Sequence, residues 1–146
     1  MRLLTKMKTN ESFVHVETAA QAAAIIRTAL PKEQMEERVF VLPLDSNGKM
    51  LAEPILVSVG HQDGTAAIDM GAIFREAFKV GAEEIIVAHN HPSGDPMPSK
   101  ADFDTTVRLN DAAKLVGLEL IDHIVIGSPN SANGLGFVSM AELMAE

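Results

Sequence analysis

The sequence predicts one layered domain of the α/β or α+β class, and three observations carry that prediction. Short runs rich in Val, Ile and Leu alternate with segments whose apolar residues recur at helical spacing, so strands and helices are interleaved along the chain. With 146 residues, 47% hydrophobic and 22% charged, the chain has a globular composition and enough length for a single substantial core. No internal repeat and no linker-like stretch divides it.

The elements follow in order. Thr18 to Leu30 is alanine-rich and carries Ile25, Ile26 and Leu30, which predicts a helix stopped by Pro31. Arg38 to Leu44 reads as a strand. Asp45-Ser46-Asn47-Gly48 then supplies turn chemistry for a tight hairpin whose returning strand runs from Met50 to Val59. Gly60 to Thr65 is a polar loop. Asp69 is placed to cap a helix with Ile73, Phe74, Ala77 and Phe78 at helical spacing, ending near Gly81. Glu84 to Ala88, with Ile85-Ile86-Val87, suits a central buried strand. A loop stiffened by Pro92, Pro96 and Pro98 leads to a helix from Ser99 to about Val116, with Leu109, Ala112, Ala113 and Val116 on its buried side. Leu118 to Ile126 reads as a further strand, Gly127 to Gly136 as a polar loop, and Phe137-Val138 as a short strand. Ser139 with Glu142 forms a capping pair opening a terminal helix.

Composition excludes several kinds of chemistry. Without cysteine there are no disulfides, thiolate nucleophiles or sulfur ligands, so any metal must be held by His, Asp or Glu. A net charge of −8 opposes a general nucleic-acid surface, which rests on Lys and Arg neutralising phosphates. Trp and Tyr are absent and Phe numbers only six, so base-stacking platforms are scarce. The start, Met1 to Asn10, is basic through Arg2, Lys6 and Lys8, but Leu3-Leu4 is too short for a signal-peptide core. No apolar run approaches the ~20 residues that span a bilayer. The expected compartment is the cytoplasm, with no membrane partner.

The chemistry concentrates in His89-Asn90-His91-Pro92, followed by Ser99 and Asp102. On an extended backbone residues i and i+2 share a face, so His89 and His91 can converge on one ion. Asp102 falls in the first turn of the next helix, and the intervening loop is long enough to fold that turn over the strand end. Three protein ligands with an open position is the arrangement of catalytic zinc, whereas structural zinc usually has four. Two neutral imidazoles and one carboxylate leave a formal +1 on the centre, which suits activation of water. The proton acceptor must come from elsewhere in the chain. Ser99-x-x-Asp102 is at the same time a helix-capping pattern.

The spacing of His89, His91, Pro92, Ser99 and Asp102 resembles the JAMM metal motif of the JAB/MPN metalloprotease-like domains. The fuller string from His89 to Pro96, with Pro98-Ser99 and the later Asp122-His123-Ile124-Val125-Ile126-Gly127, resembles the RadC-like branch. The resemblance implies a curved mixed sheet flanked by helices, related in architecture to cytidine deaminases. Those relatives use a cysteine-bearing zinc signature that this chain cannot supply, so deamination is disfavoured. It also implies Zn2+ held by His89, His91 and Asp102, with Glu37 handling the proton of the attacking water and Ser99 stabilising the oxyanion; Glu33 and Glu36 compete for the place of Glu37. The implied activity is peptidase or isopeptidase-like hydrolysis. A DNA-repair accessory role and an inactive metal-binding interaction module are the alternatives.

Two departures accompany the resemblance. Many RadC-like proteins carry an Arg-Glu pair where this chain has Gly71-Ala72, and the full-length family has an N-terminal helix-hairpin-helix region. Only ~36 residues precede Glu37 here. The expected organisation is therefore an N-terminal extension, residues 1–36, with a helix packed on the domain, and a RadC-like domain over 37–146, resembling a stand-alone catalytic domain or a short mobile-element version. Asp122-His123 is expected to be structural or to support the ligands from behind, and His61 to be solvated. An edge strand or apolar helix face could pair two chains as a homodimer.

Overall fold

The computed structural model describes residues 14–60, 68–131 and 133–145. The elements are α1 (Ala19–Arg27), β1 (Glu37–Leu44), β2 (Ile55–Gly60), α2 (Met70–Lys79), β3 (Glu84–Asn90), α3 (Lys100–Val116), β4 (Glu119–Ile126), β5 (Phe137–Ser139) and α4 (Met140–Met144). The five strands form one sheet in the order β2-β1-β3-β4-β5. β3 and β4 are parallel, joined across α3, and the other pairs are antiparallel. The interleaved pattern predicts this α/β layering, and the mixed sheet flanked by helices is the one the family resemblance implies.

Helix starts follow the sequence closely, because each rests on one local hydrogen bond. Thr18, Asp69, Ser99 and Ser139 each accept a backbone N–H from the first turn of the helix they precede. Other boundaries differ from expectation. α1 stops at Arg27 rather than Leu30, and residues 28–30 continue only as turns with i→i+3 bonds before Pro31. Leu109 and Ala113 of α3 are buried as expected, together with Thr106, but Ala112 is only half-buried and Val116 is 43% exposed. β2 begins at Ile55, not Met50. Met50 makes a single bridge to Leu44, and the next residues bend away before pairing resumes at Val41–Ile55. The turn itself is a three-residue loop: Gly48 N–H donates to the Asp45 carbonyl, Asp45 N–H to that of Lys49, and only Gly48 has a positive φ, 80°. Asn47 stays at negative φ, so this is not the two-residue turn that Asn-Gly favours. The predicted loop beyond Gly60, His61 within it, and the basic segment Met1 to Asn10 lie outside the described residues.

Two apolar layers enclose the sheet. On one side α1 contributes Ala22, Ala23 and Ile26 against Phe40, Leu42, Leu44, Ile86, Ile124 and Ile126. On the other, α2 and α3 bring Ile73, Ala77, Leu109 and Ala113 onto Val39, Val41, Ile85 and Val87. Alternation along the strands then assigns the polar residues to a layer. Glu37 precedes Val39 and Val41 by even steps, and His89 follows Ile85 and Val87 in the same way. His123 pairs with Val87 and alternates with Ile124. All three therefore face α3. Among the described residues no helix is long and apolar enough to cross a membrane.

Candidate metal centre

The site lies at the C-terminal end of the parallel pair β3–β4, where α/β sheets commonly place their ligands. His89 is carried by β3. His91 stands just past the strand and continues the ladder by donating its N–H to the Ile126 carbonyl at 2.8 Å. Asp102 is in the first turn of α3. Its Oδ2 accepts the Ser99 N–H at 2.8 Å while Ser99 Oγ accepts the Asp102 N–H at 3.1 Å. Capping and ligand geometry are thus the same arrangement, since the capping box fixes the carboxylate that faces the histidines.

His89 Nε2 lies 3.2 Å from Asp102 Oδ1, His91 Nε2 lies 3.1 Å from Asp102 Oδ2, and the two Nε2 atoms are 3.3 Å apart. His89, His91 and Asp102 form a group that could hold a metal ion, with one donor atom from each within 4.8 Å of the others. The donor set fits such an ion. His91 Nδ1 is 2.9 Å from the Asp95 carbonyl, which can only accept, so Nδ1 carries a proton and Nε2 is the atom left to face Asp102. Lone pairs and a carboxylate this close repel one another unless a proton or cation lies among them. Two imidazoles and a carboxylate suit zinc and other imidazole-binding divalent ions.

Glu37 faces the same point, with Oε1 3.6 Å from His89 Nε2. It is 7% exposed, whereas its competitors Glu33 and Glu36 are exposed. Burial raises the Glu37 carboxyl above its usual range, opposed by the nearby His89 and His91. Burial acts on Asp102 in the same direction, but hydrogen bonds with His89 and His91 outweigh it and hold this carboxyl far below the usual range. The two carboxyl groups of the site are thereby shifted in opposite directions.

Asn90, Thr106 and Arg27 were not identified from the sequence, whereas Asp122-His123 was expected to be structural or to support the ligands. Asn90, between the two histidines, is 1% exposed and points to the opposite layer. Its Oδ1 accepts the Arg38 N–H at 2.7 Å, and its Nδ2 donates to the Glu36 carbonyl at 3.1 Å and to Gln34 Oε1. Asn90 thus clamps the backbone on both sides of Glu37, and the available signal was an amide between two ligand-type residues. Thr106 contacts His123, which contacts His89. Asp122 accepts from the His123 and Ala141 N–H groups and from Ser139 Oγ, fastening β4 to the start of α4. Around the rim, Arg27 of α1 donates to the Gly127 and Gly136 carbonyls at 2.9 and 3.0 Å. Gly127 packs so tightly that a Cβ there would stand 2.3 Å from the Gly94 carbonyl oxygen.

Fold and site together define an α/β domain with a His-His-Asp group able to hold a metal ion. The chain belongs to the RadC-like JAB domain family, whose model matches residues 16–144, α1 included. It is 47% identical to the UPF0758 protein of Carboxydothermus hydrogenoformans over 92 residues, 63% of this chain and 40% of that protein. Identity to the UPF0758 protein of Methanosarcina mazei is 36% over 96 residues, covering 66% of this chain and 41% of the relative. A UPF0758 protein of Clostridium perfringens is 39% identical over 92 residues. The chain spans about two fifths of the length of these curated relatives.

Proposed function

We propose that this domain is a metal-dependent hydrolase that cleaves amide bonds of peptide or isopeptide type, with zinc as its metal. The observation that carries the reading is the convergence of His89, His91 and Asp102 beside a separate buried carboxylate, Glu37, that none of the three needs as a ligand. Zinc held by the three ligands would supply Lewis-acid activation of water and of the scissile carbonyl. Glu37 Oε1 takes up a proton from the attacking water and returns it to the leaving nitrogen, and its raised affinity for protons suits that exchange. Asn90 keeps Glu37 in place through the flanking backbone. Ser99 Oγ accepts one hydrogen bond from Asp102, which leaves its own O–H to donate to the oxygen on which charge develops.

The test is metal analysis and peptide-bond hydrolysis on the chain purified without chelator. The expected outcome is close to one equivalent of bindable zinc and metal-dependent hydrolysis of a peptide or isopeptide panel, with both lost in His89→Ala. A well-folded parent that takes up no zinc overturns the proposal. Zinc uptake without hydrolysis leaves an interaction module as the function.

A further inference from the structure

Thr106 and the His123 of the Asp122-His123 motif contact the ligand residues from α3 and β4. Thr106 Oγ1 is 2.8 Å from the Asp102 backbone carbonyl and 2.7 Å from His123 Nδ1, and His123 Nε2 is 2.9 Å from His89 Nδ1. His89 and His123 are each 1% exposed and Thr106 is 8% exposed, so solvent does not compete for these bonds. Each contact needs one proton, and the row has only one consistent arrangement. A carbonyl oxygen carries none, so the 2.8 Å contact must be bridged by the threonine hydroxyl hydrogen. Thr106 Oγ1 is then an acceptor towards His123, which places the His123 proton on Nδ1. His123 Nε2 is left bare and accepts from His89 Nδ1–H. A neutral His89 with its proton on Nδ1 presents a free lone pair at Nε2, the atom facing Asp102 and His91.

We propose that Thr106 and His123 are positioning residues that set the tautomer of His89 and thereby prepare its Nε2 for a metal. The backbone carbonyl of Asp102 is the fixed end of this relay, so the residue that supplies one ligand also dictates the proton on another. Ligating histidines usually direct their second nitrogen to a carboxylate, a carbonyl or water. Here a second neutral imidazole takes that place, and it can accept only while something else holds its own proton on the far nitrogen. Thr106 does so. In Thr106→Val the His123 Nδ1–H has no acceptor, so the proton shifts to Nε2 and donates to His89 Nδ1. The His89 proton is thereby displaced to Nε2, where it blocks the metal.

The inference rests on the metal reading, and two readouts separate them. Long-range nitrogen–proton spectra of the metal-free, 15N-histidine-labelled chain report the tautomers, and zinc competition against a chromophoric chelator reports affinity. The parent is expected to show His123 protonated on Nδ1. Thr106→Val is expected to show it on Nε2 and to bind zinc about 10- to 100-fold more weakly, the usual effect of losing an outer hydrogen bond to a ligand. Thr106→Ser is expected to restore both. Thr106→Ala serves in place of valine should the added methyl disturb folding. A parent with the His123 proton on Nε2 overturns the relay, as does a Thr106 variant with an unchanged tautomer or with zinc affinity within twofold of the parent. A parent with the expected tautomers that binds no zinc instead overturns the metal reading.

Discussion

Glu37 opens β1, and its surroundings set it apart from the two glutamates before it. In the sequence, Glu33, Glu36 and Glu37 differ by nothing local, and only the family resemblance singled out the last. What distinguishes Glu37 is long-range: the antiparallel register pairs Val39 with His89, and the even step back from Val39 puts Glu37 on the ligand face. The histidines and Asp102 were legible for the opposite reason, since fourteen consecutive residues contain the strand end, the loop and the helix cap that unite them. Thr106 and Asn90 carry no such local signature, and their partners are 17 and 52 residues away. If Glu37 moves the proton, Glu37→Gln is expected to keep zinc at the parent level while lowering hydrolysis by about 10²- to 10⁴-fold. Turnover and metal content measured on the same preparation check this. Equal turnover removes Glu37 from the proposed chemistry.

At the scale of elements, starts were more readable than ends. A helix start is announced by one side chain and one backbone N–H, as at Thr18, Asp69, Ser99 and Ser139. Where a helix or strand stops depends on which neighbour packs against it. The β1–β2 connection shows both sides of this. Asp45 Oδ1 accepts the N–H groups of Asn47 and Lys49 at 2.8 and 2.9 Å, a local arrangement its sequence suggests, yet pairing resumes only at Ile55. The Lys49 bond, joined by that of Asn47, outweighs the opposing effect of burial and lowers the Asp45 carboxyl from its usual value. The folded state thus favours the ionised form. That stabilisation is fully present above the unfolded aspartate value of about 4 and is lost as pH falls through the folded value. Asp45→Asn, which mimics the protonated acid, is expected to melt below the parent at pH 7, with the gap closing in strong acid. Thermal melts across that range check it, and a gap independent of pH assigns the effect to something other than ionisation.

For the whole molecule, the fold class was legible because hydrophobic runs and helical periodicity alternate so regularly. Strand order was not, since the placement of β1 between β2 and β3 is decided by pairing and not by sequence neighbourhood. Because the ligands come from β3, its following loop and α3, a bound ion joins elements that unfolding separates, and binding must stabilise the native state. Zinc at 100 times its dissociation constant is expected to add about 2.7 kcal/mol. For a chain of this size that corresponds to a rise in Tm of roughly 10 °C. Excess chelator is expected to reverse the rise, and Asp102→Ala to abolish it. A rise that survives the loss of Asp102 places the stabilising ion elsewhere.

The parallel crossover β3–α3–β4 has one more consequence. His89, His91, Asp102, Thr106 and His123 all lie within Glu84–Ile126, one strand–helix–strand unit, and Glu37 alone arrives from β1. If Glu37 moves the proton as proposed, holding a metal and turning over a substrate are separable inheritances in this architecture. On that proposal, a relative that lost the acid on β1 would keep its metal-holding group and be chemically silent. Metal content would then report the integrity of one structural unit, and the residue opening β1 would distinguish a hydrolase from a binder.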